Sequence, residues 1–371
     1  MGKIRTNITW TDLSMKELAH IAQMEQQAND EQHWQQRLDL WMMLTGMQHA
    51  EADEGILVDN DWDTMFQFYH KDDKENVFVA TKQDMVAILN KELKFLEFPT
   101  GGTEEKDKQK TQYEGLTQLP EETIRIGRRK FMLPSPLITN LTYEQYNNVQ
   151  KLSQLTFDLT TQLKSVMESL EKSGQHTEKA KQTLAKKRAE GADCTAQERK
   201  VKMYEGELNE LVKQVNDLSK ELHEARSRVV SHLVTSRKLQ FVSGNGLGTH
   251  LDLHWTWPYS AEVAEQNTSY INKHAPMWLY DVLQQNLQSC MRVYKEQFPD
   301  LFSGGGNDGS DKLPLISEMD SINAVMKWQG YKEQQNVYDT NAVLVFSILN
   351  SMTKEAKAIE EANQKMKSHR K

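Results

Sequence analysis

In the middle of the chain, apolar side chains recur in alternating steps of three and four. Val149, Leu152, Thr156, Leu159, Leu163, Val166 and Leu170 follow this rhythm, and the register continues through Ser173, Thr177, Ala180 and Leu184. A second series runs through Val201, Tyr204, Leu208, Leu211, Val215, Leu218, Leu222, Ala225 and Val229. A mean repeat of 3.5 residues keeps one stripe of a helix facing a partner, so it predicts a left-handed coiled coil. Between the series lies the turn-rich stretch Gly191-Ala192-Asp193-Cys194-Thr195, where Asp193 or Thr195 is available to cap the next helix. The arms are nearly equal, each roughly 43 residues or about 65 Å at helical rise. That equality predicts an antiparallel hairpin closing within the chain, with pairing between chains as the alternative. Gly174 costs about 1 kcal/mol inside a helix and marks where the first arm is expected to break.

The flanks show shorter patterns. Asp12 or Ser14 is placed to cap a helix carrying Leu18, Ile21 and Ala22. A second helix carries Trp34, Leu38, Trp41, Met42 and Leu44 and ends at Gly46, and a third runs from Asp84 to Phe95. Over Thr123–Leu133 the period falls to two: Ile124 and Ile126 alternate, Gly127 to Arg129 turn, and Phe131 and Leu133 alternate again. That is a β-hairpin, ended by Pro134 and Pro136, with a new helix starting at Thr142. After a glycine-rich link at 244–248, helices are expected over 275–298, 316–328 and 340–352, with a flexible loop at 303–312. The expected fold is therefore mainly α, in three parts. Residues 1–145 form a helical domain with the hairpin near 123–133. Residues 146–238 form the coiled-coil hairpin with its tip near 191–195, and residues 239–371 form a second helical domain.

Composition sharpens this picture. Only 38% of residues are hydrophobic, so much of the length is surface, as in helical arms with one narrow seam. Basic and acidic residues are intermixed to a net charge of -8, which disfavours nucleic acid as a partner. Cys194 and Cys290 lie far apart and do not make a disulfide framework, which fits a reducing compartment. The first residues hold no apolar core for a signal peptide, and no run of about 18 apolar residues predicts a membrane span.

Several fragments imitate chemistry. Asp59-Asn60-Asp61-Trp62-Asp63 begins like a calcium loop, but the glycine position holds Thr64 and the bidentate glutamate position holds His70. His250 and His254 with Asp252 make the best enzymatic reading, a metal-dependent hydrolase. In an extended segment, however, the two histidines point the same way yet lie far apart. Gly244-Asn245-Gly246-Leu247-Gly248 lacks the Lys-Ser/Thr of a phosphate loop and reads as a hinge. No catalytic residue, cofactor or metal is assigned. Trp255, Trp257 and Trp278 read as core or interface anchors rather than a base-stacking platform, because no basic groove accompanies them.

Both ends of the chain carry a resemblance. The run DLSMKELAHI…WQQRLDLWMMLTGM, followed by IRIGRRKFMLPSPLITNLTYEQYNNVQ, resembles tail-assembly proteins of tailed bacteriophages. The closing SINAVMKWQGYKEQQNVYDTNAVLVFSILNSM is similar to their C-terminal helical segment. The long hairpin and the tryptophan-rich region between 240 and 300 depart from the small members of that group. The resemblance implies a non-enzymatic phage morphogenesis protein in the host bacterial cytoplasm. It would act as a chaperone of an elongated helical partner such as a tape-measure protein. The alternatives are a structural virion subunit (ring, connector or cargo protein) or a cellular coiled-coil scaffold. Expected partners are other phage tail or virion proteins, or further copies of the chain, with no nucleic acid and no membrane.

Overall fold

The computed structural model describes residues 10–27, 30–49, 65–93, 115–190, 193–236, 238–243, 251–256, 258–302 and 318–368. The protein is mainly helical, with short antiparallel strands and one long helical hairpin. It divides into two compact units. The first comprises Met1–Arg125, Arg129–Tyr143 and Pro276–Lys371, and the second Ile126–Arg128 and Glu144–Ala275.

In the first unit, α1 (Met15–Gln27) and α2 (Asp30–Thr45) pack together, and Leu18, Ile21, Leu38 and Leu44 are buried. Of the two candidate caps for α1, Ser14 holds the position. Its Oγ accepts the Glu17 N–H at 3.3 Å, and the Glu17 carboxylate accepts the Ser14 N–H at 2.6 Å. This reciprocal box satisfies two amide groups that a helix start otherwise leaves open. Strands β1 (Met47–His49), β2 (Met65–His70) and β3 (Asp73–Thr81) form an antiparallel sheet in that order. Helix α3 (Lys82–Glu92) follows directly, capped by a second such box between Thr81 and Asp84. It starts two residues before the expected Asp84 and ends at Glu92, and residues 94 and 95 of the expected span lie outside the described residues.

Strands β4 (Thr123–Ile126) and β5 (Arg129–Met132) are the hairpin legible in the sequence. Two long segments of the first unit then meet. Helix α4 (Tyr143–Ala189) begins where the Tyr143 N–H donates to the Thr340 carbonyl at 2.8 Å. The Ala342 N–H returns the bond to the Leu141 carbonyl at 3.0 Å, making an antiparallel bridge between Thr142 and Asn341. Asn341 also donates from Nδ2 to the Thr139 carbonyl at 2.6 Å, while its Oδ1 accepts the Val343 N–H at 3.0 Å. One side chain thus caps a helix and ties two motifs that stand about 200 positions apart.

The second unit contains α4 beyond its first residue and α5 (Thr195–Leu233), which run antiparallel. Leu159 and Leu163 pack with Leu218, Leu222 and Ala225. Further out, the His176 and Tyr204 rings lie 6.2 Å apart, and Lys181 pairs with Glu205 at 2.9 Å. Near the turn, Gln197 Nε2 donates to the Ala180 carbonyl at 3.0 Å and Arg188 pairs with Glu198 at 2.7 Å. Low numbers on α4 meet high numbers on α5 throughout, so the hairpin closes within one chain. The expected break at Gly174 does not occur: α4 is continuous through it. Thr177 is buried and Ser173 half-buried beside it, so the helix continues through the glycine despite a cost of about 1 kcal/mol. At the turn, Asp193 Oδ1 accepts the Thr195 N–H at 3.0 Å, so Asp193 serves the start of α5, and those bonds lower its carboxyl pKa.

The short strands β6 (Thr235–Ser236), β7 (Lys238–Ser243) and β8 (Leu251–Thr256) follow, with β7 and β8 antiparallel. Helix α6 (Ala261–His274), absent from the elements expected from sequence, then packs along α5. The chain returns to the first unit with α7 (Met277–Gln297), α8 (Pro299–Phe302), α9 (Glu318–Gln329), α10 (Gln334–Tyr338) and α11 (Ala342–Ser368). Leu279, Val282, Leu283, Leu287 and Tyr294 of α7 are buried at helical spacing. The compact units do not follow the sequence-order boundaries at 145 and 238, because the segments before α4 and after α6 share one core.

Candidate interaction surface

The seam accounts for the apolar stripe of the hairpin. Val149, Leu152, Leu159, Val201, Leu222 and Val229 are buried. Leu163, Val166, Leu170, Tyr204, Leu208, Leu211, Val215 and Leu218 are half-buried, while most positions between them are exposed. Two thin helices cannot cover each other fully, so half-burial along the outer seam is the geometry of a two-helix arm. The arm therefore turns its seam on itself, while Leu155, Phe157, Met167, Met203 and Val212 stand exposed along it.

A different surface remains open. In the sheet of the first unit, Tyr69 stands opposite Val77, Gln67 opposite Val79, and Met65 opposite Thr81. Because side chains alternate across a strand, these residues share one face. The other face carries Phe66, Phe68 and Ala80, all buried. There the Trp41 ring stands edge-on to Phe68 at 5.5 Å, with Met85 and Leu89 of α3 also buried. Among the described residues the first face has no such cover: Met65 is 57% exposed, Val77 49% and Val79 46%. Phe78, on the covered side but at the edge strand, is still 38% exposed. Single exposed apolar residues are ordinary on a protein surface, but several on one sheet face mark a contact site. The chain has left a flat apolar platform with Lys74 over the half-buried Tyr69 ring at its rim. Sequence reasoning missed this hairpin, although Phe66/Phe68 and Val77/Val79 alternate on either side of the polar Lys71-Asp72-Asp73 turn.

The second unit holds a polar cluster where α4, α5 and α6 meet. His232, near the end of α5, is 3% exposed. Its Nδ1 lies 2.7 Å from Tyr259 Oη and its Nε2 lies 3.1 Å from Glu265 Oε1. Arg228 grips the same carboxylate with both ends, Nη2 to Oε1 at 2.8 Å and Nε to Oε2 at 3.2 Å. From α4, Asn148 Nδ2 donates to Tyr259 Oη at 3.0 Å and Gln145 Nε2 donates to the His232 carbonyl at 2.8 Å. Burial lowers the His232 pKa, the Arg228 bond lowers that of Glu265, and burial pushes the Tyr259 phenol up to about 12. Nothing in a single sequence marks His232 as special, since its partners come from three other segments.

Trp278, near the start of α7, is half-buried, whereas Leu279 beside it is fully buried. Trp255 belongs to β8, opposite Leu239, and Trp257 lies outside the described residues. His254 is in β8 opposite Gln240, while His250, the glycine-rich link at 244–248, the calcium-like segment Asp59–Asp63 and the 303–312 loop lie outside the described residues. Neither Cys194 nor Cys290 is in a disulfide; Cys290 is buried, and desolvation raises its pKa to about 12. Among the described residues no group of three or more His, Cys, Asp or Glu is placed to hold a metal ion. Among them, too, no helix is long and apolar enough to cross a membrane. No family model, no curated protein and no solved structure matches the chain.

Proposed function

We propose that this chain is a non-enzymatic morphogenesis protein of a tailed bacteriophage, a tail-assembly chaperone that acts in the host cytoplasm on an elongated helical client such as a tape-measure protein. The observation that carries this reading is the apolar sheet face of Met65, Val77 and Val79. A sheet face and the apolar stripe of an amphipathic helix are complementary layers, and each buries what the other exposes. The hairpin seam is closed within the chain, whereas Met65, Val77 and Val79 stand together on one exposed sheet face, which makes that face the surface we assign to a client helix. The resemblance at both ends of the chain supports the same assignment.

Co-expression with the tape-measure protein of the same phage tests it. The wild-type chain is expected to keep that client in the soluble fraction. A Val77→Lys, Val79→Lys double variant is expected to leave it in the pellet while retaining its own helicity and melting temperature, since both positions face solvent. A client equally soluble without the chain, or with the double variant, sinks the reading.

A further inference from the structure

The His232 cluster takes no part in the proposed client surface, yet its hydrogen bonds are directional enough to assign every proton. Tyr259 Oη accepts from Asn148 Nδ2 at 3.0 Å, and its own hydroxyl proton is left for His232 Nδ1 at 2.7 Å. Nδ1 is then an acceptor, so the ring proton sits on Nε2, which donates to Glu265 Oε1 at 3.1 Å. Glu265 is already held by both ends of Arg228, which neutralises its charge. We propose that this network is a proton-operated latch, in which neutral His232 fastens α6 and the turn carrying Tyr259 onto the adjoining ends of α4 and α5.

The groups facing His232 decide what a second ring proton does. They are Arg228 on α5, Glu265 on α6 and Tyr259 in the turn before α6; Glu144 of α4 acts on the site through Tyr259. A proton on Nδ1 removes the acceptor of the Tyr259 hydroxyl. It also adds a second donor to a phenol oxygen that Asn148 already uses. The new positive charge would sit 3% exposed, beside Arg228, with the Glu265 carboxylate already paired. Opening the latch rehydrates the imidazolium and uncovers Ala264 and Ile271, which are buried on α6.

The sign of the pH dependence follows. The folded His232 pKa is lowered, chiefly by burial, so the open state binds more protons just below the ordinary value of about 6.5. The latch is at full strength above that pH and weakens as pH falls. The closed-to-open ratio drops by up to about tenfold per pH unit until the folded pKa is passed. Glu265, whose pKa is also lowered, gives way only in a separate window below the usual carboxylate value.

Nitrogen NMR of the full chain with labelled histidine, assigned through His232→Gln, is the test, together with amide exchange of residues 261–274 corrected for intrinsic rates. At pH 7.5 His232 is expected as the Nε2–H tautomer with a midpoint below 6.5. Protection of α6 is expected to fall as pH drops below 6.5 in the wild type, and to lose that dependence in His232→Gln. An Nδ1–H tautomer, a midpoint at or above 6.5, or protection of α6 that ignores pH in the wild type overturns the proposal. If His232→Gln does not fold, Glu265→Gln serves. Removing the carboxylate leaves Arg228 uncompensated, so the His232 midpoint is expected to move lower still, and an unmoved midpoint overturns the latch.

Discussion

Gly127 shows how much one missing Cβ can decide. It is the first of two turn residues between β4 and β5 and has φ of +56°, a left-handed conformation that glycine takes without strain. The space beside it is also taken: a Cβ would lie 2.6 Å from Tyr270 Oη. That hydroxyl accepts the Arg128 N–H at 2.8 Å and donates to the Ile126 carbonyl at 3.2 Å, so it closes the turn. Gly127→Ala therefore combines backbone strain with loss of these bonds, and is expected to cost about 2 kcal/mol or more. Thermal unfolding checks this, and an unchanged melting temperature refutes the close approach. The sequence alone showed that Gly127 turns, because Ile124, Ile126, Phe131 and Leu133 alternate around it. It did not show Tyr270, which is more than 140 positions away.

A contrast along α4 and α5 separates packing from propensity at the scale of an element. Leu222 is buried in the cluster with Leu159 and Ala225, so Leu222→Ala opens a cavity and should cost about 2 to 5 kcal/mol. Gly174 sits inside α4, and a Cβ added there would meet nothing within 4 Å, so Gly174→Ala should stabilise by about 1 kcal/mol. Denaturant unfolding of the two variants should move in opposite directions. A neutral Leu222→Ala contradicts a dry seam, and a destabilising Gly174→Ala contradicts an unbroken helix. Past Leu222, α5 is buried on two sides, with Ala225 and Val229 continuing the seam and Ser227 and Ser231 turned to α6. The heptad made the first side legible. The second was hidden, because serine and histidine on a buried face read in sequence like any solvated residue.

For the whole molecule, the decisive quantity is mass in solution. Since the hairpin pairs within one chain, it does not require a second copy, and light scattering coupled to size exclusion is expected to find a monomer or small dimer at two protein concentrations. A large oligomer of fixed subunit number would instead assign the chain to a ring or other virion component. The Val77→Lys, Val79→Lys variant would then be expected to reduce that mass if the sheet face forms the contact.

The sequence by itself determined the helical class, the two arms and the β4–β5 hairpin, because each depends on a short-range period that neighbouring residues state directly. It also offered Asp12 or Ser14 as the cap of α1, and the structure decided for Ser14. Tertiary structure alone decided which segments share a core: the Thr142–Asn341 bridge joins stretches with no common local signal. It decided as well that the β2–β3 platform has one covered and one open face, since Phe68 and Val77 differ only in what packs on them. The His232 network belongs to the same class. Its chemistry comes from Asn148, Tyr259 and Glu265, which are ordinary polar residues until folding takes water away from them.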